Sequence, residues 1–508
     1  MSLAVVHSRA ISGMNAPEVT VEVHLANGLP GFTLVGLPET EVRESRERVR
    51  AALLNARFEF PARRITVNMA PADLPKESGR FDLPIAVGIL AASGQVPAGV
   101  LDRFEFAGEL SLSGELRPVL GSLAMMLAIA RGANRTARRV FLPIENADEA
   151  ALVGLVPVLA ARDLREVAAH LFFAAGQPQG RELGERYAQV RLSPPAYPDF
   201  AEVKGQEHAK RALEIAAVGG HSVLMVGPPG TGKTMLAQRF PGLLPPMDTE
   251  AAIESAAVLS LVGKFAPQRW ATRVFRAPHH SASVAAMVGG GSDVLPGEIS
   301  LAHQGVLFLD ELPEFDRRLL ESLREPLETG RITIARAARH VDYPARFQLL
   351  AAMNPCPCGN HGRSPQACRC TPEMVSRYQD RISGPLLDRI DLRVEVNALT
   401  PDELTALPAG ESTQTIAERV ARARRRALDR QGKINDGLSS TEIERVCRPQ
   451  GQVRQLLHAA SSRMGWSARS FHRVLKVARS ICDLEGEEEI TTRAVAEAIQ
   501  YRRSMREA

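Results

Sequence analysis

Two kinds of hydrophobic pattern divide the chain. Up to about residue 175, short strand-type runs such as "EVTVEVHL", "RRITVNMA" and "RVFLPI" are interleaved with helical patterns at about Glu41 to Ala56 and Pro84 to Ala92, which predicts a mixed α/β body. From Ser222 to about Thr400 the apolar runs "SVLMVG", "GVLFLDE", "FQLLAAMNP" and "DLRVEV" are separated by helical stretches, the pattern of a largely parallel sheet. Beyond about Gln414 strands vanish, and "IAERVARARRRALDR", "QVRQLLHAASSRM", "ARSFHRVLKVARSIC" and "TRAVAEAIQYRR" all carry helical periodicity. The segment Gly176 to Phe200 is rich in Gly, Pro and charge and lacks periodicity, so it reads as a linker. The expected layout is α/β: a first domain over 1–175, a linker over 176–200, a parallel α/β core over 201–400 and a helical lid over 401–508.

Composition changes this picture little. With 508 residues, 45% hydrophobic and 24% charged, the chain is long enough for two or three domains with their own cores. A net charge of +4 is too small to argue for a nucleic-acid partner by itself. The start "MSLAVVHSRAISGMNAPEV" has no basic stretch followed by an apolar segment, and no run approaches the roughly 20 apolar residues that cross a bilayer. A cytoplasmic protein with no membrane partner is expected. Six cysteines in so long a chain do not make a disulfide scaffold.

Between an apolar strand and a helix lies "VLMVGPPGTGKTMLA". Its Gly227, Pro228, Pro229, Gly230, Thr231, Gly232, Lys233 and Thr234 have the spacing of a phosphate loop. Glycines turn backbone N–H groups inward onto phosphate oxygens, Lys233 reaches the β- and γ-phosphates, and Thr234 offers a hydroxyl to magnesium. Nucleotide, as ATP with magnesium, is the expected ligand. Downstream, "GVLFLDELPEF" ends an apolar strand in Asp310, suited to the magnesium shell, and Glu311, suited to orienting and polarising the attacking water. Asn354, at the tip of "LLAAMNP", supplies an amide that could help position that water.

Taken together, the phosphate loop, "PGEISLAHQGVLFLDELPEF", "AAMNPCPCG" and "SGPLLDRIDL" resemble the magnesium-chelatase-like branch of the AAA+ ATPases, and within it the ComM/YifB family. That resemblance implies a homohexameric ring with active sites between subunits. It implies sensor 1 at Asn354, an arginine finger at Arg389 acting on the neighbour's site, and sensor 2 at Arg469 in "SARSFHR", with Arg473 one turn further on as a competitor. In the first domain, "DLPKESGRFDLPIAVGILAASG" and "GELSLSGELRPVLGSLAMMLAIARGANRTARRVFLP" resemble the Lon-type proteolytic domain in its ChlI form. Lon-type catalysis needs a serine activated by a lysine, yet no lysine lies between Arg117 and Val140, so Ser78 reads as a loop residue and the domain as non-proteolytic.

Three further elements carry chemistry. Between Lys233 and Asp310, "RAPHHSASVAAMVGGGSDVLPGEIS" forms an insert whose adjacent His279 and His280 make a poor metal pair. In related ATPases an insert here projects into the central channel. "GRITIARAARHVDYPARFQ" reads as a basic hairpin turning near Ala337 to His340; Arg336 and Arg339 at its tip are candidates to track a DNA phosphate backbone. Finally, Cys356 and Cys358 repeat the one-residue spacing of Cys368 and Cys370, two close pairs that suit a tetrahedral structural zinc. His361 could replace one of these thiolates, and a chance cluster of buried thiols is the alternative.

The function expected from these features is an ATP-driven hexameric DNA motor, a helicase or branch-migration factor of natural transformation or homologous recombination. Its partners would be single-stranded, forked or branched DNA, further copies of itself and recombination proteins. The alternative is a magnesium-chelatase-type ATPase that remodels a protein partner.

Overall fold

The computed structural model of the chain describes residues 3–36, 40–74, 76, 78–132, 138–187, 197–291, 294–336, 339–361 and 368–502. The first body is built on an eight-stranded mixed sheet. Its strands run, from one edge to the other, Glu185–Arg186, Val158–Ala161, Arg139–Pro143, Phe104–Phe106, Leu3–Arg9, Glu18–Ala26, Arg64–Ala70 and Gly31–Val35. Alternation sets which face is buried: Val19, Val21, Val23 and Leu25 point into the core while their neighbours along the strand are more exposed. Helix Asp82–Ala92 is buried along its whole length against strands Leu3–Arg9 and Glu18–Ala26. Gly88 is required there, since a Cβ would lie 2.4 Å from Val23 Cγ2.

The stretch read as a linker is partly structured. Arg181 N–H donates to Ala169 O (2.9 Å) and Leu183 N–H to His170 Nδ1 (2.9 Å), which folds the segment back along helix Leu164–Ala174. Glu185–Arg186 then pairs antiparallel with Val158–Ala161 as the edge strand. Too few apolar residues take part for any periodicity to reveal this.

The second body holds five parallel strands: β1 (Val223–Val226), β2 (Phe275–Arg276), β3 (Val306–Leu309), β4 (Gln348–Met353) and β5 (Leu392–Glu395). Their spatial order is β2-β3-β4-β1-β5, so the phosphate-loop strand lies between β4 and β5. All of β3 is buried, and only Gln348 of β4 is not, which explains their continuous apolar runs. Each such buried Leu contributes roughly 1.5–3 kcal/mol. The order brings the ends of β1, β3 and β4 side by side, the arrangement in which parallel α/β sheets place ligands.

The chain ends in helices, chiefly Thr413–Gln431, Gly451–Met464, Ala468–Glu485 and Thr492–Gln500. The apolar face of Ala468–Glu485 packs Val474, Val477, Ala478 and Ile481 into one core with Leu392 of β5 and Leu213 of helix Glu207–Gly219. Several of the lid arginines are internal ties: Arg419 bonds Glu214 and Glu411 (2.7 Å each), Arg424 donates to Ala217 O, and Arg430 pairs with Asp483 (2.6 Å). The first body is joined to the second by Leu123 and Met126 packed in one core with Ala256, Ala257 and Leu261. Arg131 adds an ion pair with Glu254 (2.7 Å). At a second contact the tight turn at Gly13 (φ 60°) sits against the basic hairpin, where a Cβ would lie 2.3 Å from Val341 Cγ1. No helix among the described residues is long and apolar enough to cross a membrane.

Candidate nucleotide site and cysteine cluster

The loop after β1 owes its shape to its glycines. Gly230 and Gly232 take φ of 79° and 90°, and a Cβ on Gly227 would lie 2.2 Å from Val396 O. Thr231 Oγ1 donates to Pro228 O (2.9 Å), and Gly227 N–H to Met353 O (3.2 Å), tying the loop to the end of β4. Lys233 opens helix Lys233–Arg239 and donates to Gly227 O (2.6 Å), Pro228 O (2.9 Å) and Asn354 Oδ1 (3.3 Å). Burial lowers its pKa from the usual lysine value, while Asp310 and Glu311 pull it back up.

Thr234 Oγ1 donates to Asp310 Oδ2 at 2.6 Å, so the hydroxyl and carboxylate expected to hold magnesium are adjacent. Oxygen donors of this kind suit that hard cation. Glu311 takes φ 54°, in the left-handed region. Its carboxylate meets His280 Nδ1 at 3.0 Å. His280 and the neighbouring His279 line a cleft of about 300 Å³ together with Thr234, Gln238, Asp310 and Glu311. Sequence reasoning missed this partnership, because nothing in the His-His spacing points to an acid 31 residues further along the chain.

The two candidate arginines converge outside this cleft. Arg389 and Arg469 each donate to Glu328 Oε1 at 2.7 Å, and Arg389 also donates to Pro385 O (2.6 Å). Arg389 is only 5% exposed in the single chain. Glu328, at the end of the short helix Pro326–Thr329, gave no sequence signal. Arg473 is committed elsewhere: it pairs with buried Asp391 and donates to Arg389 O (2.8 Å). Burial opposes ionisation of Asp391, but Arg473 and His221 outweigh it and hold the carboxyl well below the usual range. The competition between Arg469 and Arg473 thus leaves only Arg469 with a half-exposed guanidinium.

Strand Arg331–Arg336 pairs antiparallel with Arg339–Pro344, placing Arg336 opposite Arg339 at the hairpin end. Ala337 and Ala338 and the side chains of Arg336 and Arg339 lie outside the described residues. The insert packs on this hairpin. Tyr343 Oη donates to Val294 O (2.7 Å), and a Cβ on Gly289 would lie 2.7 Å from Ile334 Cδ1. In the first body, Lys76 Nζ is directed at the carbonyls of Gly36 and Pro71, whereas Ser78 Oγ accepts from Arg80. These two side chains therefore serve different partners.

Directly after Asn354, the four cysteines converge. Cys356 Sγ lies 3.4 Å from Cys358 Sγ and 3.8 Å from Cys368 Sγ, Cys358 to Cys368 is 3.7 Å, and all four sulfurs, with Cys370, fall within 4.8 Å of one another. A zinc tetrathiolate with bonds of about 2.3 Å has sulfur–sulfur edges of about 3.8 Å, so the residues fit the ion. His361 Nδ1 stands 3.9 Å from Cys368 Sγ, beside the cluster. Only Cys356 is buried, which does not suit a packed cluster of apolar thiols. Backbone N–H groups of Asn360 and Arg369 lower the Cys358 thiol to about 6, while Cys370 is pushed up to about 12, with neighbouring sulfurs among the causes. A bound cation would relieve that mutual repulsion.

Three family descriptions match the chain in order: subunit ChlI of Mg-chelatase over 21–146, magnesium chelatase subunit ChlI over 199–404, and its C-terminal part over 410–502. With the parallel sheet and helical lid, they define a magnesium-chelatase-like protein of the AAA+ type. Competence protein ComM of Haemophilus influenzae is 51% identical over 508 residues, covering 100% of this chain and 98% of the relative. The uncharacterized protein YifB of Salmonella typhimurium is 50% identical over 505 residues, covering 99% and 97%. The chain belongs to the ComM/YifB family. A more distant relative, the magnesium-chelatase 38 kDa subunit of Rhodobacter capsulatus, is 29% identical over 183 residues, 32% of this chain and 51% of that subunit.

Proposed function

We propose that the chain is one subunit of an ATP-hydrolysing homohexameric ring that moves on single-stranded, forked or branched DNA, as a helicase or branch-migration factor in transformation or homologous recombination. ATP would sit on the loop Gly227–Thr234 with magnesium at Thr234 and Asp310. Glu311 would polarise the attacking water, aided by Asn354; Arg389 and Arg469 would complete a site between subunits. A structural zinc on Cys356, Cys358, Cys368 and Cys370 belongs to the same reading.

The observation that carries the DNA assignment is the join between hairpin and sensor strand. The basic hairpin ends at Pro344 and β4 begins at Gln348, with Asn354 just beyond its far end. A load on the hairpin is thereby connected through one short strand to the γ-phosphate position. The competence name of the relative from Haemophilus influenzae is in keeping with this reading. Remodelling of a protein partner, favoured by the likeness to chelatase subunits, is the alternative.

The test is ATP hydrolysis with single-stranded DNA, forked DNA or an unfolded protein added, on wild type and on Arg336→Ala/Arg339→Ala. Phosphate contacts carry no base information, so the variant should lose DNA affinity similarly across sequences. Its slope of log affinity against log salt should fall by up to about 0.9 per contact on a duplex. DNA-stimulated hydrolysis and strand displacement should drop while basal hydrolysis persists. Stimulation by unfolded protein alone would install the remodelling alternative.

A further inference from the structure

We propose that the four-cysteine zinc site is a brace for the nucleotide loop, so that metal occupancy sets nucleotide affinity. The inference rests on the nucleotide-site reading above and adds to it a second ligand, a thiophilic divalent cation, that governs the same site from outside. The cysteine loop leaves β4 immediately after Asn354 and crosses over the phosphate loop. Gly359, at φ 79°, sits so close that a Cβ would lie 2.7 Å from Pro229 Cδ and 3.8 Å from Asn354 Cγ. Gly359 N–H donates to Cys356 O (3.0 Å), so the turn that touches Pro229 is itself closed between the first two sulfur ligands.

The far side of the loop returns to the same place. After Cys370, Thr371 caps helix Pro372–Gln379, and Gln379 Nε2 donates to Pro355 O (3.3 Å). Tyr378 is buried beside the backbone of Asn354. Both ends of the loop are thus anchored beside Asn354, and Gly359 presses on Pro229. Little apolar burial holds the cysteines in place, since Cys358 is exposed and Cys368 and Cys370 are half-buried. Four metal–sulfur bonds supply the restraint that packing does not, because thiolate–zinc binding energy is converted directly into local order. With the loop fixed, Pro229 has a wall behind it and the N–H groups of the phosphate loop are held ready for the ligand. With it released, the loop must be ordered at the expense of nucleotide binding.

Zinc content by elemental analysis, and affinity by titration with a fluorescent ATP analogue, would be measured on the full chain. Wild type prepared without chelator should carry about one zinc per chain. Cys358→Ser/Cys368→Ser should carry none and bind the analogue about tenfold or more weakly. Gly359→Ala should keep its zinc and still lose affinity, because a Cβ strains the φ of the turn and pushes on Pro229. Chelator-treated wild type, a state that needs no mutation, should match the cysteine variant and recover on adding zinc. Unchanged analogue affinity in zinc-free protein would overturn the brace. No zinc in wild type, with four titratable thiols in this segment, would overturn the site. If wild type took up zinc but failed to bind the analogue, the nucleotide reading would fall instead, and the brace with it.

Discussion

Arg389 and Arg469 share a single acceptor, each reaching Glu328 Oε1 at 2.7 Å, one from the ATPase core and one from the lid. One carboxylate is therefore shared between two guanidinium cations, and the trio keeps a net positive charge. Among the described residues the buried Nε of Arg389 has no partner, so its present seat is not a fully satisfied one.

If Arg389 serves the neighbouring subunit, Arg389→Ala should abolish hydrolysis in trans, by about 10³ to 10⁵ in rate as for arginine fingers elsewhere. Subunits carrying Arg389→Ala and subunits carrying Glu311→Gln, each inactive alone, should regain activity in mixed rings. Rings shown to mix by labelled subunits, yet silent, would rule out action across the interface.

Glu311→Gln should bind nucleotide with little change and barely turn it over, since the loop and magnesium contacts do not involve that carboxylate. Lys233→Ala should fail earlier, at binding. Equilibrium titration and single-turnover hydrolysis separate the two, and wild-type turnover by Glu311→Gln would remove it from the site.

His280 holds a Glu311 oxygen at 3.0 Å, and both side chains are partly exposed. A pair of that kind is worth up to about 1 kcal/mol, so His280→Ala should raise basal hydrolysis by up to about fivefold as the carboxylate becomes available to water. Analogue affinity should not move. A fall in basal rate would instead make His280 a support for Glu311.

The Asp391–Arg473 pair should register in acid unfolding. Asp391 has its folded pKa held below the usual carboxylate value, so its contribution is present above that value, near 4, and is lost as pH falls further. Thermal unfolding of Asp391→Asn should lie below wild type by about 3 kcal/mol at pH 7, since one buried partner is left alone. The gap should hold down to about pH 5 and narrow below about pH 4. A gap that is flat through pH 3 would deny Asp391 its charge. Neighbouring Asp436 shifts the opposite way, raised by burial and by the Asp391 charge.

The strands of the ATPase sheet were legible because burial on both faces left continuous apolar runs, and the phosphate loop because only glycines fit its turns. Cys356 to Cys370 could be paired by spacing alone. What spacing could not reveal were contacts between side chains far apart in sequence: His280 on Glu311, Glu328 between two arginines, Asp391 capturing Arg473. Each is made by a common charged residue in a segment whose pattern is set by something else. The edge strand Glu185–Arg186 was hidden for a different reason, since two residues held by backbone bonds leave no hydrophobic trace.

The contact between Gly13 and Val341 turns the basic hairpin into a short cantilever. Val341 pairs with Ile334 across the hairpin, and two residues of each strand, Ala335 and Arg336 opposite His340 and Arg339, lie beyond that rung. At about 3.4 Å per residue, the paired arm beyond it is about 7 Å long. An arm that short and clamped on a first-domain turn has little compliance of its own. A load applied at its end would pass through Gly13 to the first domain as a rigid displacement rather than be absorbed by bending of the hairpin.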